Sequence, residues 1–113
     1  AVHNIARAAL LVDALREGRT ADLRAAMADR LHQPYRLPLL PHEPLLEIAL
    51  AAGAGGAALS GAGSSLLALC DVARAPAVAA ALADRAADLG VPGEALTLDI
   101  DRRGLVLTLN DKC

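Results

Sequence analysis

The sequence contains no tryptophan, no phenylalanine and a single tyrosine, Tyr35. A core without large rings has to be built from Ala, Leu and Val, which lack the buried area of aromatic anchors and predict modest intrinsic stability. An excess of basic charge is missing too: 11 Lys and Arg stand against 13 Asp and Glu, a net charge of −2. With no basic stripe, nucleic acid is not a partner. Nor is there an apolar run long and uncharged enough to cross a bilayer, since the best, Leu45 to Leu59, holds Glu47 and several glycines. No basic stretch leads into an apolar one as in a signal peptide. Cysteine is scarce: Cys70 lies in an apolar run and Cys113 ends the sequence, so two free thiols are expected, not a disulfide framework. Together these point to a cytoplasmic chain. His3, His32 and His42 share no ligand spacing, and no Ser-His-Asp or Cys-His arrangement is legible, so neither a metal site nor a catalytic residue is assigned.

What is abundant is alanine and leucine, and 113 residues suffice for one domain with its own core. Val2, Ile5, Ala9 and Val12 follow helical spacing and predict a helix from Val2 to Glu17, stopped at Gly18. That helix has no capping residue before it and the sequence opens on Ala1, as expected of a piece of a longer protein. Thr20 caps a second expected helix, with Leu23, Ala26, Met27 and Leu31 as its apolar side, ending near His32 or Gln33 ahead of Pro34. Residues Pro34 to Pro41 read as extended. A third helix is expected from His42 to Ala52, and a fourth opens at Pro76 and ends at Gly90, with Val78, Ala81, Leu82 and Leu89 on one face. The tail alternates, with Leu96, Leu98 and Ile100 and then Leu105, Leu107 and Leu109 on one side, the pattern of a hairpin with one wet face. The predicted fold is α+β: a four-stranded antiparallel sheet of two hairpins with helices packed on it.

The other hairpin is the most informative segment. Gly56 to Ser60 and Ser65 to Leu69 flank a turn containing Gly61, Ala62, Gly63 and Ser64. Glycines there let the backbone curve tightly, and converging N–H groups with the hydroxyls of Ser60, Ser64 and Ser65 form an anion-binding concavity. An ordinary glycine-softened hairpin explains the same residues. A P-loop is excluded because no lysine follows the glycines, and a dinucleotide fingerprint because the third glycine and the helix are missing. Upstream, Asn4 and Arg7 lie three apart and His3 and Arg7 four apart, sharing one helix edge. Asp29, His32 and Arg36 cluster around the end of the second helix. Arg7 and Arg36 can clamp a carboxylate through their guanidinium forks, with Asp29 orienting His32 or pairing an arginine. A solvated helix edge with a structural ion pair is the plain alternative.

Taken together, Asn4-Ile5-Ala6-Arg7-Ala8-Ala9-Leu10-Leu11, Asp29-Arg30-Leu31-His32-Gln33-Pro34-Tyr35-Arg36 and Gly56 to Gly63 resemble the C-terminal part of the homoserine kinases, within the GHMP small-molecule kinases. The resemblance runs from Asn4 to Asp71 and more loosely to the end. It implies a GHMP kinase C-terminal domain over residues 1–113, an N-terminal ATP-binding domain outside this sequence, and ATP-dependent phosphorylation of the L-homoserine hydroxyl on the way to threonine. By the same resemblance Arg7, Arg36, Asn4 and His32 bind substrate, while Ser60, Gly61, Ala62, Gly63 and Ser64 support the phosphate loop. ATP and Mg2+ serve the whole enzyme and neither is expected on this stretch alone; a homodimer is left open. Ser64 stands where the family usually has proline, and the superfamily's Pro-x-x-x-Gly-Leu-x-Ser-Ser loop is absent. This stretch alone is therefore expected to be inactive. The alternatives are a non-catalytic binding or assembly module of the same fold, and another GHMP kinase acting on mevalonate or a sugar.

Overall fold

The computed structural model describes residues 1–108. Helix α1 spans Val2–Glu17 as expected and ends where Gly18 adopts φ 69°. There the Arg19 N–H donates to the Ala14 carbonyl at 2.8 Å, closing the helix in a left-handed cap. Its inward face is not the expected one. Ala14 is buried and His3, Asn4, Arg7, Leu10 and Leu11 are half-buried, whereas Val2, Ile5 and Val12 lie exposed, Val2 at 81%. Helix α1 packs on α2 (Leu23–Ala26), and its half-buried side mixes polar residues with Leu10 and Leu11, while Val2, Ile5 and Val12 face solvent.

The second helix is shorter than the spacing predicts. A 3-10 turn at Thr20–Asp22 leads into α2, which stops at Met27. Thr20 makes no capping bond; its hydroxyl donates instead to Asp71 at 3.4 Å. Leu31 lies outside the helix and is exposed. The segment expected to be extended is helical: α3 covers Gln33–Arg36 with Pro34 in its first turn, and a 3-10 turn covers Leu37–Leu39. Proline lacks the N–H that a first turn leaves unpaired, so Pro34 and Pro38 start turns here and do not prevent them. Helix α4 spans Leu45–Ala51, beginning three residues later than expected.

Strands β1 (Gly56–Ser60) and β2 (Ser65–Leu69) pair antiparallel, in register from Gly56↔Leu69 to Ser60↔Ser65. Helices α2 and α4 pack on β1, and α4 packs on α5 (Ala75–Asp88), whose first turn holds Pro76. The core is made of Ala14, Leu23, Ala26, Leu45, Ala49 and Val78. Its small side chains let backbones approach closely. A Cβ on Gly56 would stand 2.5 Å from Met27 Sδ and 2.8 Å from the Leu23 carbonyl, so the bare glycine is what seats α2 on β1.

Among the described residues the sheet has two strands, not four. Residues 91–108 carry no ladder, and Leu96, Leu98, Ile100, Leu105 and Leu107 are exposed; Leu109 lies outside the described residues. The bend of the expected second hairpin does form: Asp101 Oδ1 accepts the Arg103 N–H at 2.9 Å, and Gly104 takes φ 68°. Alternation sets which side chains share a face, but a ladder also needs a neighbouring strand within hydrogen-bonding distance. The tail instead borders a cleft of about 1570 Å³ with Leu66, Val78 and Leu82. Among the described residues no helix is long and apolar enough to cross a membrane.

Candidate functional site

Hydrogen bonds join the three segments singled out in the sequence. At the start of α1, His3 Nε2 lies 3.1 Å from the Ala28 carbonyl, and the Asn4 amide donates to Asp29 while its oxygen accepts the Arg30 N–H at 3.1 Å. Asp29 then turns the chain. Its carboxylate accepts the N–H of Leu31 at 3.1 Å, of His32 at 2.8 Å and of Gln33. Those are the donors that the start of α3 leaves without helical partners. Asp29 therefore neither orients the His32 ring nor pairs an arginine. Desolvation pushes its carboxyl upward, but the Gln33 N–H, the Asn4 amide and the Leu31 and His32 N–H groups outweigh that and hold it well below the usual carboxylate range.

From α3 two side chains cross to the hairpin. The Gln33 side-chain oxygen accepts the Leu59 N–H at 2.6 Å, covering a backbone donor on β1. Arg36 Nε donates to the Ala62 carbonyl at 3.1 Å. His42 Nε2 lies 2.7 Å from the Gly63 carbonyl. At the tip Gly61 and Gly63 adopt φ 60° and 106°, and the Gly63 N–H closes the turn onto the Ser60 carbonyl at 3.3 Å. The N–H groups of Gly61, Ala62 and Ser64 have no partner among the described residues, and Ser60, Ser64 and Ser65 are exposed around them. The turn thus presents free donors with no carboxylate bonded to them, a setting suited to an anion.

Of the substrate residues expected from the sequence, Asn4 is engaged with Asp29 and Arg30. His32 contributes its backbone, and its half-buried ring makes no hydrogen bond among the described residues. Arg7 sits one helical turn beyond His3 and Asn4, half-buried, with Nε shielded from solvent and without a hydrogen-bond partner. A guanidinium nitrogen in that condition is a buried donor left unsatisfied among the described residues, a state that costs free energy until the side chain finds a partner. Arg36 is exposed and commits Nε to the turn, and its terminal nitrogens make no hydrogen bond or ion pair among the described residues. Sequence reasoning missed Gln33 and His42. Gln33 lay within the string Leu31 to Arg36 and was legible only as part of a resemblance, and His42 carried no signal.

Residues 11–88 match the family described as GHMP kinases C terminal. The homoserine kinase of Synechocystis sp. is 43% identical over 109 residues, which is 96% of this chain and 36% of that protein. That of Trichormus variabilis is 44% identical over 105 residues, 92% of this chain and 35% of its own length, and that of Desulfitobacterium hafniense is 43% identical over the same span and shares. The chain therefore spans about 35% of the length of the curated relatives it matches. No solved structure matches it. With the two-stranded hairpin, the helices packed on it and the glycine tip all inside the matched residues, the chain belongs to the GHMP kinase C-terminal family.

Proposed function

We propose that the chain is the C-terminal part of a homoserine kinase, which transfers the γ-phosphoryl group of ATP to the side-chain hydroxyl of L-homoserine, a step of threonine biosynthesis in the cytoplasm. The observation that carries this reading is Arg7, half-buried with an unpartnered guanidinium nitrogen, on an element bonded to the segment that grips the glycine turn. A carboxylate-bearing substrate is held by the guanidinium of Arg7, with the terminal nitrogens of Arg36 as a second contact. The turn, from Ser60 to Ser64, borders the phosphoryl group. Phosphoryl transfer depends on positioning and charge stabilisation more than on covalent chemistry by the protein, so arginines and backbone donors are suitable parts.

ATP supplies the phosphoryl group. The homoserine hydroxyl oxygen forms a bond to the γ-phosphorus as the bond to the bridging oxygen breaks; ADP leaves and the hydroxyl proton is released to solvent. This chain's share is to hold the carboxylate end of the acceptor and to present N–H groups to the phosphate. Among the described residues no three His, Cys, Asp or Glu side chains gather, and no step is assigned to a metal here. The remaining nucleotide contacts belong to an N-terminal domain of the parent enzyme, in whose presence the tail completes a four-stranded sheet. The exposed stripes Val2, Ile5, Val12 and Leu31, Tyr35, Leu39 support such a neighbour, in the same polypeptide or in a homodimer.

Assays with homoserine and Mg-ATP test this directly. The isolated chain is expected to show no turnover, and the parent protein steady phosphorylation; an inactive parent would overturn the reading in favour of a non-catalytic module. Arg7→Ala in the parent should raise KM for homoserine by roughly 10- to 150-fold, the equivalent of a lost charged hydrogen bond of about 1.5–3 kcal/mol, with KM for ATP nearly unchanged. Equal shifts in both constants would remove Arg7 from the carboxylate site.

A further inference from the structure

We propose that the Ser64 N–H is an anion donor of the glycine turn, and that His42 is the positioning residue that aims it, through the Gly63 carbonyl, at the phosphate of the nucleotide. The inference deepens the homoserine kinase reading and rests on it. The structure ties the two residues through a single peptide unit. The Gly63 carbonyl and the Ser64 N–H belong to the same planar group, and no peptide bond in the described chain is cis. In a trans peptide the C=O and N–H vectors point in opposite directions. Whatever holds the carbonyl therefore sets the heading of the amide.

His42 holds it. With Nε2 at 2.7 Å from an acceptor that has no proton to give, the imidazole must carry its hydrogen on Nε2 and donate. The Ser64 N–H consequently points away from His42, toward the exposed rim where it has no partner. The grip is a built one. Three side chains from one short segment close on the turn: Arg36 Nε on the preceding carbonyl of Ala62 at 3.1 Å, His42 on the Gly63 carbonyl, and Leu40 against Gly63. Leu40 Cδ1 stands 3.0 Å from where a Cβ on Gly63 would lie, so the bare backbone is closely packed against the leucine methyl. Two consecutive carbonyls of the turn are thus held: that of Ala62 shares its peptide unit with the Gly63 N–H, which closes onto the Ser60 carbonyl, and that of Gly63 shares its unit with the Ser64 N–H, the one left free. A donor already oriented costs no reorganisation when the charged phosphate arrives.

The test uses the parent protein, with His42→Leu, His42→Gln and Ser64→Pro. Leucine removes the donor, glutamine restores an N–H that can reach a carbonyl, and proline removes the Ser64 N–H while leaving Gly63 and His42 in place. His42→Leu is expected to raise KM for ATP roughly tenfold with KM for homoserine little changed, and His42→Gln to recover most of the loss. Ser64→Pro should match His42→Leu, and the double variant His42→Leu/Ser64→Pro should be no worse than either alone, because both act on one donor. Unchanged KM for ATP in His42→Leu, equal damage by Leu and Gln, or additive losses in the double variant would each overturn the proposal. A second readout does not need catalysis. The 15N–1H resonance of Ser64 should shift on titration with ATP in the parent protein and lose that response in His42→Gln less than in His42→Leu. If the parent binds ATP with this shift but leaves homoserine unphosphorylated, the homoserine reading fails while the role of His42 stands. If the Ser64 amide ignores ATP in an active enzyme, the role of His42 fails alone.

Discussion

At the scale of single residues the chain relies on a few polar side chains that satisfy backbone groups. Asp29 is the clearest. Its carboxylate accepts three successive N–H groups and the Asn4 amide, joining α1 to α3. The sequence showed a carboxylate three residues from His32 and seven from Arg36, and a side-chain partner looked natural. What decided otherwise is that a short polar side chain reaches nearby backbone donors at little entropic cost, before it can reach across to another element. Asp29→Ala should destabilise the chain by about 1–2 kcal/mol, read as a lower urea midpoint. The pH dependence has a defined sign. The folded carboxyl is held below its unfolded value of about 3.9, so its stabilisation is complete above that value and is lost as pH falls through the lower folded one. Urea midpoints of the wild type should therefore fall below about pH 4, and those of Asp29→Ala should fall less over the same interval.

At the scale of elements, helices with a strong start and stop were legible and the irregular middle was not. The boundaries of α1 and α5 followed from Gly18, Pro76 and Gly90, residues whose backbone preferences act locally. The stretch from Met27 to Leu40 could not be read that way, because Asp29 and two prolines favour turns whose handedness depends on what they pack against. The hairpin β1–β2 was legible from its glycine tip, but the role of Gly56 was not. Its bare Cα accommodates Met27 and Leu23 of another element. Gly56→Val should cost about 1–3 kcal/mol through overpacking between α2 and β1. Gly61→Ala, where nothing stands within 4 Å, should cost about 1–2 kcal/mol through its left-handed backbone alone. Thermal denaturation of the two variants separates a packing requirement from a conformational one. A Gly56→Val chain as stable as wild type would show that α2 is not seated on β1.

For the whole molecule the radius of gyration, 15.9 Å, exceeds the ~13 Å of a compact domain of this size, and residues 91–108 carry no helix or strand and are almost all exposed. Among the described residues no large side chain is fully buried, and apolar stripes on α1 and along Leu31, Tyr35 and Leu39 face solvent. Such surfaces associate. Analytical ultracentrifugation of the isolated chain should show concentration-dependent self-association, and the triple variant Val2→Ser/Ile5→Ser/Val12→Ser should reduce it. Association unaffected by the triple variant would mean that α1 is not the adhesive face. The alternating tail was expected to pair as a second hairpin; its turn at Asp101–Arg103 forms, but pairing depends on what lies alongside, and among the described residues the sheet has only β1 and β2.

The sequence by itself determined the α+β class, the ends of the long helices, the glycine hairpin and the family resemblance, because each rests on residues close together in the chain. Only the tertiary structure decided which face of α1 turns inward, that Asp29 serves the backbone, and that Arg36 and His42 grip the glycine turn from behind. The contacts of Arg36 and His42 join residues more than twenty positions apart, the face of α1 is one of several equivalent ones, and Asp29 had nearby backbone donors and more distant side chains to choose between. Neither of the first two outcomes is encoded in local spacing, since both depend on which surfaces meet once the helices have packed.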